Sequence, residues 1–128
     1  MKEAALYEKK KDHVICKACE HKCLIKEGKR GICGVRKNVG GKLMVEVYGR
    51  LCSVNIDPIE KKPLYHFLEG SKTFSIGTVG CNFRCNYCQN HEISQASKDG
   101  AIFGEYYSPG QIVELALKNK CESISYTY

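Results

Sequence analysis

The sequence predicts an α/β protein with a small cysteine-rich unit at the N-terminus, a β-hairpin, and a strand–helix–strand unit whose strands run parallel. Three observations lead to this reading. Seven of the nine cysteines fall into two tight groups, Cys16, Cys19, Cys23 and Cys33, then Cys81, Cys85 and Cys88. Gly40-Gly41 stands directly ahead of an extended, β-favouring run. A helix-start signal, Ser108-Pro109-Gly110-Gln111, separates two further β-favouring runs.

Taken in order, residues 1–40 are lysine-rich and contain the first cysteine group. Roughly 40 residues build little apolar core, so a bound metal is expected to take its place. The segment 41–69 follows as hairpin and connector. Glycine accepts the positive φ of a tight turn, and Lys42-Leu43-Met44-Val45-Glu46-Val47-Tyr48 then reads as a strand. A second extended run, residues 51–56, stops at Asp57-Pro58, and two prolines make the rest of the connector irregular. The last segment, 70–128, opens with a short buried strand, Thr73-Phe74-Ser75-Ile76-Gly77-Thr78. Ser108 is a good N-cap, Pro109 suits the first helical position, and Gln111 closes a capping box. Ile112, Leu115 and Ala116 give that helix one apolar face. Residues 122–128 read as a second strand, and a crossover of this length implies parallel pairing.

Composition narrows the function classes. No apolar run reaches the ~20 residues of a membrane span, and residues 1–5 lack the apolar core of a signal peptide, so a cytoplasmic location is expected. There, an odd number of clustered cysteines points to metal ligation rather than disulfides. The net charge of +6 is concentrated in residues 1–62, which hold 15 Lys/Arg against 8 Asp/Glu. Acids interrupt the lysines and no aromatic platform accompanies them, so a solvated surface is favoured over nucleic-acid binding.

The second cysteine group carries the most specific chemistry. Cys81-x3-Cys85-x2-Cys88 places three thiols on one loop immediately after a predicted strand. A four-iron cluster normally takes four cysteines, so three leave one iron open to another ligand. The alternatives are a zinc knuckle that adds His91, and a ferredoxin-type centre. With Tyr87 just before the third cysteine, the motif resembles the signature of the radical S-adenosylmethionine superfamily. Cys33-Gly34-Val35-Arg36, Asp57-Pro58-Ile59-Glu60-Lys61-Lys62-Pro63-Leu64, Ser75-Ile76-Gly77-Thr78-Val79-Gly80 and Cys88-Gln89-Asn90 are similar, in order, to the radical enzyme of the AmmeMemoRadiSam system, a group related to the pyruvate formate-lyase activating enzyme.

That resemblance implies a partial (β/α)6 barrel, of which this chain would be the truncated beginning, with the first βαβ in residues 70–128. It implies a [4Fe–4S] cluster on Cys81, Cys85 and Cys88, S-adenosylmethionine with Tyr87 beside its adenine, and a one-electron reductant. The chemistry implied is reductive cleavage to a 5′-deoxyadenosyl radical that abstracts hydrogen from a substrate, which for an activating enzyme is a protein. The family's Gly-Gly-Glu-like stretch at the end of the second strand has no counterpart, since Gly40-Gly41-Lys42 comes too early and lacks the acid. The isolated chain is therefore expected to hold a cluster better than it turns over.

Cys16, Cys19, Cys23 and Cys33 offer four thiolates, enough for structural zinc or for an auxiliary iron–sulfur cluster. His21, within the group, reads as a surface histidine. The connector reads as a packing strap, with Lys61, Lys62 or His66 at a substrate mouth as the functional alternative. Cys52 and Cys121 read as small core residues. The competing functions are a metal-binding module that contacts nucleic acid or protein, and a two-cluster electron-transfer protein.

Overall fold

A computed structural model describes residues 1–127. The chain divides into two compact units, each built from two separate stretches: Met1–Tyr48 with Val79–Phe103, and Gly49–Thr78 with Gly104–Tyr128.

The first unit contains six short strands: β1 (Lys2–Glu3), β2 (Tyr7–Lys9), β3 (His13–Cys16), β4 (Leu24–Lys26), β5 (Arg36–Val39) and β6 (Lys42–Val45). They form two antiparallel sheets, in the orders β2-β3-β4 and β1-β6-β5. Gly40 and Gly41 take φ of +61° and +72° and close the β5–β6 hairpin, with Val39 opposite Lys42. The Glu27 carboxylate accepts hydrogen bonds from both glycine N–H groups and fixes the turn. Val14, Cys16, Ile25 and Leu43 form the core, with Ala4, Tyr7 and Cys23 packed at its edge. A helix α1 (His91–Ala96) and a 3₁₀ turn over Ser97–Asp99 complete the unit. The hairpin thus belongs with the cysteine-rich segment, and an expected boundary at 40/41 would split paired strands.

The second unit contains β7 (Arg50–Leu51), β8 (Ser53–Pro58), β9 (Lys72–Gly77), β10 (Glu105–Tyr106), helix α2 (Pro109–Lys118) and β11 (Ser123–Tyr126). Its three-stranded sheet is mixed, with β9 central, β8 antiparallel on one side and β11 parallel on the other. Both halves of the α2 capping box are formed, Ser108 Oγ accepting from the Gln111 N–H at 3.2 Å and Gln111 Oε1 from the Ser108 N–H at 2.8 Å. Ile112 and Ala116 on α2 pack with Phe74, Ile76, Leu51 and Cys121. Burying each large aliphatic or aromatic side chain there contributes about 1.5–3 kcal/mol.

Strand alternation turns Thr73 and Ser75 to the opposite face, where they line up with Asp57 and Ser125. The connector departs from the expected irregular form, because β8 runs to Pro58 and Ile59–Lys61 makes a 3₁₀ turn that buries Ile59.

Candidate metal centre

All seven clustered cysteines lie in the first unit, while Cys52 and Cys121 lie in the second. None of the nine is in a disulfide. Two sequence groups separated by nearly fifty residues therefore share one small body.

The Cys81–Cys88 loop has no regular secondary structure and is held by hydrogen bonds to its backbone. His21 Nε2–H donates to the Asn82 carbonyl at 2.8 Å. The Phe83 carbonyl accepts from Lys98 Nζ at 2.6 Å and from Gln95 Nε2 at 3.3 Å. Within the loop, the Phe83 N–H points at Cys81 Sγ (3.4 Å), and the Cys88 N–H donates to the Cys85 carbonyl (3.3 Å). Cys88 Sγ lies 3.4 Å from the hydroxyl of Ser94, which α1 buries to 2% exposure. Cys81 and Cys88 are half-buried and Cys85 is exposed. Tyr87 is 90% exposed, so its ring is free to meet a planar ligand.

Two close approaches key the cysteine-rich N-terminal segment to this loop. Gly34, at φ +75°, lies so near the Ser97 turn that an added Cβ would sit 2.4 Å from the Ser97 carbonyl oxygen. Gly80, at φ +96° and adjacent to Cys81, would place a Cβ 2.4 Å from Val35 Cγ1 and 2.9 Å from the Cys33 carbonyl oxygen. Ser97, 1% exposed, closes the junction by donating its hydroxyl to the Cys33 carbonyl at 2.8 Å.

The N-terminal cysteines are placed unevenly. Cys16 is 6% exposed in the apolar core, and its N–H donates to the Cys23 carbonyl. Cys19 accepts from the Lys22 N–H in a tight turn, Cys23 lies at the core edge, and Cys33 sits at the Ser97 junction. Among the described residues, no three His, Cys, Asp or Glu side chains stand together as a metal-ligand group. The Cys81–Cys88 loop carries three free thiols, N–H or O–H groups at two of the sulfurs, and a cationic lysine on its backbone, all of which stabilise negative charge at sulfur. His91, the added ligand of the zinc-knuckle alternative, is exposed at the start of α1.

A second polar cluster in the other unit was not anticipated from sequence as a charge site. The Asp57 carboxylate is 7% exposed and accepts from Lys61 Nζ (2.8 Å), Lys62 Nζ (3.0 Å) and Ser75 Oγ (2.7 Å). The Lys61 and Ser75 hydrogen bonds, with Lys62, hold its pKa far below the ordinary 3.8. The signal available in the sequence was the lysine four residues after the acid, a spacing that brings charges together on one turn. On the same face Thr73 Oγ1 and Ser125 Oγ share a 2.7 Å hydrogen bond. His66 is exposed and lies 3.7 Å from Glu69. Cys121 is buried in the α2 core, whereas Cys52 is half-buried, with its thiol pKa raised by desolvation.

The chain is 48% identical to the uncharacterized protein MJ0808 of Methanocaldococcus jannaschii, over 129 aligned positions covering all of this chain. It spans 38% of that relative's length. No family model and no solved structure matches the chain. Among the described residues, no helix is long and apolar enough to cross a membrane.

Proposed function

We propose that Cys81, Cys85 and Cys88 hold a [4Fe–4S] cluster in a radical S-adenosylmethionine enzyme, of which these residues are the cluster-binding part. The observation that carries this reading is the Cys-x3-Cys-x2-Cys spacing on a loop tied down by His21 from the N-terminal segment and by Ser94, Gln95 and Lys98 from α1 and the turn after it. When bound, such a cluster supplies the electron that cleaves S-adenosylmethionine to methionine and a 5′-deoxyadenosyl radical.

The chain's own residues have the supporting tasks. His21, Gln95 and Lys98 orient the loop, Ser94 and the Phe83 N–H set the polarity at two sulfurs, and Tyr87 offers an exposed ring to adenine. The parallel β9–β11 pair, covered on one face by α2, supports placing the second unit at the start of a partial (β/α)6 barrel. Its opposite face, with Asp57, Thr73, Ser75 and Ser125, would look toward the barrel interior. Cys16, Cys19, Cys23 and Cys33 are proposed to bind zinc, with an auxiliary cluster as the alternative. The hydrogen donor is proposed to be a protein, and the compartment the cytoplasm.

The test is anaerobic reconstitution of this chain with iron and sulfide. Wild type should bind about four irons per chain at the triplet and absorb broadly near 400 nm. Cys81→Ala, Cys85→Ala and Cys88→Ala should each abolish that band, while Cys52→Ala should keep it. Reduction of the loaded full-length relative with S-adenosylmethionine should yield 5′-deoxyadenosine. Retention of the cluster by all three triplet variants would refute the assignment.

A further inference from the structure

Within the first unit, strand pairing sets two cations on one row of the β1-β6-β5 sheet. Lys2 and Arg36 are both register partners of Val45, so all three side chains leave the same face. The Cα atoms of Lys2 and Arg36 stand about 10 Å apart, two strand spacings. Two residues along the same face, the next row holds Leu43 and Asn38, both fully buried. The cations therefore stand at the edge of the core, where an unmatched charge costs more than on the open surface. They line an open pocket of about 300 Å³. Its one acid among the described residues, Glu3, is already committed, accepting from Lys42 Nζ at 3.0 Å and from the Tyr7 hydroxyl at 2.7 Å.

The donors in this pocket lack acceptors. Arg36 Nε is buried without a hydrogen-bond partner, which folded chains rarely leave so. A water could accept that one bond, but it would leave the guanidinium charge unmatched. Lys2 Nζ donates to the Tyr48 hydroxyl at 3.1 Å and lies 4.3 Å from the centre of its ring. The ring offsets that charge only weakly at an exposed site, and the hydroxyl keeps its own O–H free to donate. The remaining wall is apolar, formed by exposed Leu6, half-buried Val45 and three alanines. No cysteine lines it. The surrounding unit contains 14 Lys/Arg and 8 Asp/Glu, so the whole +6 of the chain resides there, and its field draws anions toward the pocket.

We propose that this pocket binds a short-chain organic carboxylate. Its head group takes the Arg36 guanidinium and the Lys2–Tyr48 donors, and its alkyl body lies on Leu6 and Val45. The planar guanidinium fork matches a carboxylate, and two cations without an acid supply the charge that holds it. A bare phosphate could use the same donors, but it would leave the apolar wall in contact with water, whereas an alkyl body covers it. The volume lies at the small end of ligand sites, which limits the guest to a few carbons. The proposal does not depend on the cluster assignment, because no thiol takes part in it.

The probe is butyrate, with inorganic phosphate as its rival, each titrated into the nitrogen-15-labelled chain under reducing conditions. The Arg36 Nε–H gives its own NMR signal, assigned by its absence from Arg36→Gln. Butyrate should shift that signal saturably, together with the backbone N–H of Val45. Followed at Val45, Arg36→Gln should weaken binding about tenfold or more, the usual effect of losing hydrogen bonds to a charged group. Lys2→Gln leaves Arg36 in place and should weaken it about threefold or more, so the proposal stays testable if Arg36→Gln does not fold. Lys11→Gln, exposed and outside the pocket, should bind as wild type does. No saturable shift with butyrate overturns the proposal. Weakening by Lys11→Gln equal to that by Lys2→Gln also overturns it, assigning the effect to net charge alone. Phosphate that binds more tightly than butyrate and is lost in the same two variants overturns the carboxylate in favour of a phosphate ligand.

Discussion

Replacing Gly34 by alanine tests the junction that keys the cysteine-rich segment to the stretch beside the Cys81–Cys88 loop. Two costs arise. A residue with a Cβ held at φ +75° pays about 1–2 kcal/mol relative to its unstrained backbone. The new methyl would also stand 2.4–2.7 Å from Ser97 O, C and Oγ, and two of these are backbone atoms that cannot rotate away. Overpacking of that kind costs about 1–3 kcal/mol. The sum is about 2–5 kcal/mol. Gly28→Ala is the control, because Gly28 has nearly the same φ, +72°, but nothing within 4 Å of its Cβ position. It should lose only the backbone part. Urea unfolding of the metal-free chain under reducing conditions, followed by circular dichroism, measures both variants. With a slope of about 1–3 kcal/mol per molar urea, Gly34→Ala should fall below Gly28→Ala by on the order of 1 M in midpoint. Equal midpoints for the two variants would mean that the Gly34–Ser97 approach does not exist in solution.

Two further outcomes follow from the second unit. Asp57→Asn should cost about 2–3 kcal/mol at pH 7, since it leaves Lys62 and Ser75 with a neutral partner in a nearly closed site. Because the folded pKa of Asp57 lies below 3.8, its contribution is complete above that value and is lost as pH falls beneath it. The stability gap between wild type and variant should therefore be flat from pH 5 to 7 and shrink below about pH 4; a gap independent of pH would show that the ion pairs contribute nothing. Ser108→Ala removes one side of the α2 capping box and should lower stability by about 1 kcal/mol, read from the same urea curves, whereas an unchanged midpoint would place the helix start elsewhere.

Short-range chemistry was legible in the sequence. The Ser108–Gln111 box, the Gly40-Gly41 turn and the apolar stripe of Ile112 and Ala116 each depend on residues within a few positions of one another, and each forms in the structure. The spacing of Cys81, Cys85 and Cys88, on which the proposed cluster rests, is likewise local. The α1 helix and the Ser97 turn were not legible, because no capping side chain or long apolar repeat announces six helical residues. Asp57 was visible as a charge near lysines, but its burial depends on Ser75 across the β8–β9 pair.

What the sequence by itself determined is the inventory: which donors exist, how they are spaced, and which segments favour strand or helix. Tertiary structure decided their company. It places both cysteine groups and the entire net charge in one unit, while the strand that leads into the triplet pairs in the other. Cys33 and Ser97, or His21 and Asn82, meet across more than sixty residues. Contacts at that separation arise from chain packing rather than local propensity. At Gly34 and Gly80 the absence of a Cβ is what allows the backbones to approach closely enough for them to form.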